Sequence, residues 1–92
     1  MYLFSCTATA KKALEGIQVG EQKPFIIYID FADLFGAEHL CKLYLMAEGF
    51  HQIVIEKRKQ ISNEQVMSLQ EHDKDINEAL NSGFRLRMFE SH

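Results

Sequence analysis

The chain predicts an α+β fold, a two-layer α/β sandwich. A mixed four-stranded sheet carries two main helices on one face, in the order β-β-α-β-α-β. Three observations predict it. Stretches of apolar/polar alternation stand near the start, past the middle and at the end of the chain, and alternation marks a half-buried strand. Two longer stretches place apolar residues at helical spacing, each between a capping residue and a glycine. Each such helix is long enough to return the chain across a sheet, since ~15 residues span ~22 Å, about one strand length.

The first strand is Tyr2 to Ala8, with Tyr2, Phe4, Cys6 and Ala8 on one side and Ser5 and Thr7 on the other. Residues 9–23 fit two readings. They form the loop end of a hairpin turning near Glu15-Gly16, or a short helix capped by Thr9, which gives the order β-α-β-α-β-α-β; the hairpin is the preferred reading. After Pro24, the run FIIYIDF is apolar on both sides and β-branched, as a central strand requires. Asp33 is a candidate N-cap for a helix from Leu34 to Glu48, stopped at Gly49. HQIVIEKRK alternates again, with Ile53 and Ile55 against Gln52, Val54 and Glu56. Ser62 and Gln65 then fit a capping box, flanked by Ile61 and Val66 at the positions of a hydrophobic staple. That helix is expected to run to about Asn81 and end at Gly83 in a left-handed turn. FRLRMFES closes the chain as a strand, with Phe84, Leu86 and Met88 inward and Arg85 and Arg87 outward. The last three strands are expected to be parallel, joined by right-handed crossovers.

Ninety-two residues at 47% hydrophobic content suit one globular domain spanning residues 1–92. The net charge of −3 argues against an unaided nucleic-acid binder, which needs a basic surface to displace counterions from phosphates. The charge is uneven: residues 1–60 balance, and residues 61–92 supply the whole acidic excess. Cys6 and Cys41 do not make a disulfide framework and are expected to be reduced thiols. The opening MYLFSCTATAKK has no basic flank ahead of its short apolar run, so it is not a signal peptide. No run reaches the ~20 apolar residues of a membrane span. These readings place the protein in the cytoplasm, away from membranes.

EHLCKLYLMAEGFH, residues 38–51, gathers two histidines and a cysteine. On a helical wheel Ala37, Leu40, Cys41, Tyr44 and Ala47 form the arc that packs on the sheet, and His39 lies on the other side. The spacing matches no zinc pattern, and His51 falls beyond Gly49. Asp30 and His51 are expected at opposite edges of the sheet. Neither a Gly-rich phosphate loop nor a nucleophile elbow occurs. The reading is therefore a non-catalytic protein with no metal and no cofactor.

Three surfaces remain. Phe35, His39, Leu43 and Met46 recur at helical spacing away from the core arc, and an exposed stripe of this kind marks an interface. They predict a protein partner, first of all a second copy of the chain in a homodimer. Lys57, Arg58, Lys59, Ser62 and Asn63 gather cationic side chains near a helix start and form a candidate edge for a small anion or nucleotide. Glu64, Glu71, Asp73, Asp75 and Glu78 make the second helix acidic, as in an inhibitor or adaptor that docks on a basic partner. Asp73 also falls in the apolar stripe Val66, Leu69, Ile76 and Leu80, where a carboxylate needs a basic partner or a place at the rim of the core. The layout resembles ferredoxin-like and related small sandwiches in architecture alone, which implies no activity.

Overall fold

A computed structural model describes residues 1–89. The chain runs β1 (Tyr2–Ala10), β2 (Gln22–Ile29), α1 (Leu34–Ala47), β3 (Phe50–Gln60), α2 (Asn63–Leu69), α3 (Lys74–Ser82) and β4 (Phe84–Met88). The α+β class, the four strands and their order along the chain are as the sequence predicts. Residues 11–21 form the end of a hairpin. Leu14 and Ile17 exchange two backbone hydrogen bonds of 2.9 and 3.0 Å around Glu15-Gly16, and Gly16 supplies the positive φ of 73° that this tight turn requires. The closing segment FRLRMFES is a strand only to Met88, and Glu90 and Ser91 lie outside the described residues.

The sheet order is β3-β1-β2-β4, and every neighbouring pair is antiparallel. This corrects the mixed sheet with three parallel strands. β2 and β3 do run the same way, as a helical crossover between them requires, but β1 lies between them. β4 runs opposite to both. The reason is the break in the second helix. α2 and α3 span ~10 and ~13 Å, too short for either to carry the chain back across the sheet. Gln60 at the end of β3 and Phe84 at the start of β4 therefore stand at one end of the sheet, level with the paired Tyr2 and Ile29.

The helices lie on opposite faces, which corrects the expected two-layer arrangement with both on one face. Ala37, Cys41 and Leu45 of α1 pack on the face formed by Phe4, Cys6, Ala8, Phe25, Ile27 and Ile29. Val66, Ile76 and Ala79 of α2 and α3 pack with Met1, Ile61, Leu3 and Tyr28. Because side chains alternate along a strand, Leu3 and Tyr28 point away from α1. The handedness rule constrains only parallel crossovers. An antiparallel return can use either face, and Leu3 and Tyr28 give it an apolar footing on the far one. α1 itself is rotated slightly from the expected arc, with Leu45 fully buried and Ala47 exposed. Tyr44 stacks on Phe84 with ring centroids 3.8 Å apart, which ties α1 to the edge strand β4.

Candidate functional site: two uncovered faces

The outward side of α1 carries Phe35, His39, Leu43 and Met46, all exposed. Phe35 is 79% exposed, Leu43 45% and Met46 54%. No loop or terminal segment among the described residues covers them. The helix is positioned by its other side, where Ala37, Cys41 and Leu45 lock onto the sheet, and by the Asp33 carboxylate, which accepts the Gly36 N–H at 2.8 Å. Phe31, just before the helix, extends the patch. Its ring lies over Gly36, where an added Cβ would collide with a ring carbon. A glycine here lets the ring lie against the helix backbone. Phe31 had no signal in the helical stripe because it precedes the helix. Only the close approach at Gly36 reveals it.

On the opposite side of the sheet, β1 and β3 border a cavity of about 390 Å³ lined by Leu3, Ser5, Ile26 and the run Lys57–Lys59. The register sets Ser5 opposite Lys57 and Leu3 opposite Lys59, with Ile26 beyond Ser5 on β2. The intervening Arg58 points to the α1 face, where its guanidinium pairs with Glu38. Neither Lys57 nor Lys59 has a carboxylate partner among the described residues. Ser62 and Asn63 stand apart from this cavity. The Ser62 hydroxyl accepts the Gln65 N–H at 3.2 Å while the Gln65 side chain accepts the Ser62 N–H at 3.0 Å. The expected capping box is thus complete, and Asn63 is the first residue of the short α2.

The acidic stretch is largely occupied within the molecule. Asp73 is the N-cap of α3, and its carboxylate accepts the N–H groups of Asp75 and Ile76 at 2.9 and 3.3 Å. Its place in an apolar stripe is thereby explained without the Arg or Lys side-chain partner: the stripe belongs to two helices, and Asp73 starts the second. Asp75 binds Arg85 at 3.1 Å and Arg87 at 2.9 Å, and Glu78 binds Arg85 at 2.9 Å. Tyr28 packs beneath this cluster, and burial first, then the charges of Asp73 and Asp75, push its phenol up from the ordinary value.

Cys6 on β1 and Cys41 on α1 are buried and reduced, with their sulfurs sharing a weak hydrogen bond at 3.9 Å. That bond, and then burial, push the Cys41 thiol up. A thiol so held is a poor nucleophile, because the reactive species is the thiolate. His51 pairs with Thr9 at one end of β1, while Ile29, next to Asp30, pairs with Tyr2 at the other, so the two do not meet. Among the described residues no three His, Cys, Asp or Glu side chains gather as a metal site, and no helix is long and apolar enough to cross a membrane. Compared with known proteins, the chain matches no family model, no curated protein and no solved structure at a significant level.

Proposed function

We propose that this is a non-catalytic cytoplasmic protein that works through protein–protein contact, and that its first partner is a second copy of itself docked on the outer stripe of α1. The observation that carries this reading is the exposure of Phe35, Leu43 and Met46 on one side of a helix whose other side is locked to the sheet. Water-exposed Phe and Met in one stripe lose free energy on the surface and regain it in an interface.

The stripe also suits a two-fold axis. Its two ends, Phe35 and Met46, are both large and apolar, with His39 and Leu43 between. An antiparallel copy lays each Phe35 over the partner's Met46, the self-complementary arrangement that a two-fold dimer requires. Glu38 beside the stripe is already paired with Arg58, and in the antiparallel arrangement the exposed Lys42, which shares the stripe's side of the helix, falls across from the partner's His39 and not from the partner's Lys42.

Sedimentation or native mass spectrometry of the wild type against Leu43→Glu and Met46→Glu tests the proposal. The expected result is a dimer that each substitution converts to monomer, with unchanged circular dichroism. A wild-type monomer at every concentration, or variants that remain dimeric, would show that this surface is not the contact.

A further inference from the structure

The cavity on the far side of the sheet is independent of α1. The geometry points to a binding site there for a small amphipathic anion: an apolar body with one anionic head, such as a carboxylate or phosphate monoester. Four observations lead to this class of ligand. The cavity, at about 390 Å³, falls within the ~300–1,000 Å³ range of small-molecule sites. Leu3 and Ile26, both half-buried, make its floor apolar. Lys57 and Lys59 line the cavity from one strand, two residues and ~7 Å apart along the backbone, so one anionic head lies within reach of both side chains. Ser5, directly opposite Lys57 in the register, adds a hydroxyl beside that position.

The charge pattern sets the sign of the ligand. The other cationic side chains of the four strands each have a carboxylate partner: Lys23 holds Glu21, Arg58 holds Glu38 on the other face, and Arg85 and Arg87 hold Asp75 and Glu78. Lys57 and Lys59 have none among the described residues, and the wall they form attracts an anion and repels a cation. The apolar floor sets the ligand's body. A bare inorganic ion would leave Leu3 and Ile26 facing water, whereas an acyl or aryl group covers them.

The test is titration of the wild-type protein with decanoate, decyl phosphate, decanol and decyltrimethylammonium, followed by amide chemical shifts. The expected result is that both anions shift Leu3, Ser5, Ile26, Lys57 and Lys59 together. The tighter of the two identifies the head group. Decanol and the ammonium amphiphile bind more weakly, and Lys57→Glu with Lys59→Glu weakens the anions by roughly tenfold, as two reversed exposed charges would, while the remaining amides keep their positions. Three results would overturn the proposal: equal binding of anionic and cationic amphiphiles, shifts confined to Phe35–Met46, or no shifts with either anion.

Discussion

Asp73 does a task that its neighbours in sequence conceal. Val66, Leu69, Ile76 and Leu80 continue one apolar stripe across it, and on a single uninterrupted helix its carboxylate would be an isolated charge at the core. In the folded chain its backbone is extended, with φ −112° and ψ 107°, and its side chain accepts two N–H groups at the start of α3. An aspartate that caps is interchangeable with other short acceptors and not with alanine. Asp73→Ala is expected to destabilise the protein by about 1 kcal/mol and Asp73→Asn by only a few tenths, as read from denaturant midpoints. If alanine and asparagine cost the same, the two hydrogen bonds contribute nothing and the break between α2 and α3 has another cause. The same residue scale explains Cys41. Its position on the inner arc of α1 is legible from helical spacing alone, but its approach to Cys6 needs the strand register, which no local pattern carries.

At the scale of elements, the sequence is most informative where a local signal determines a local structure. The Ser62–Gln65 capping box and the Gly83 stop with φ 91° lie where residue types alone put them, and the turn at Glu15-Gly16 is the preferred of the two readings that residues 9–23 fit. The candidate stripe Phe35, His39, Leu43 and Met46 was legible for the same reason: it repeats on one helix. Sheet direction was not legible, because it depends on how far the chain travels between β3 and β4, and that distance turns on one cap inside a stripe of helical period. The cavity was half legible. Lys57 and Lys59 stand out in the chain, but Leu3, Ser5 and Ile26 reach them only through pairing between strands.

The β1–β2 hairpin end offers a test at this scale. The Glu21 carboxylate accepts the Gln18 N–H at 2.8 Å and lies 3.4 Å from the Lys23 ammonium. The bond from the Gln18 backbone, aided by Lys23 and opposed by slight desolvation, holds Glu21 below the usual glutamate value. A carboxylate with a lowered folded value stabilises above its unfolded value and loses that contribution as pH falls through the folded one. The Gln18 amide is therefore expected to keep its shift and protection through the usual glutamate range and to lose them only at lower pH. Glu21→Gln should abolish this titration. A midpoint at or above the ordinary glutamate value would mean that the hydrogen bond does not persist in solution.

At the scale of the whole molecule, the sheet separates two cores of unequal size. Among the described residues the α1 side holds twelve buried residues and the α2–α3 side five, so the second face has less apolar burial to hold it closed. Regions with few buried contacts open first, without unfolding the rest. The amides of α2 and α3 are expected to exchange through a local opening while α1 and β1 exchange only on global unfolding. Ile27, fully buried on the α1 side, separates the two routes. Ile27→Val removes one methyl group and costs about 1 kcal/mol of global stability, about fivefold in exchange at globally protected sites. That loss falls equally on the native state and on a state with only α2 and α3 open, because Ile27 stays packed in both. Exchange of the α1 and β1 amides should therefore quicken about fivefold while that of the α2 and α3 amides stays unchanged. If all four elements quicken together, the two faces open as one unit, and the smaller core beneath α2 and α3 is held as firmly as the larger one beneath α1.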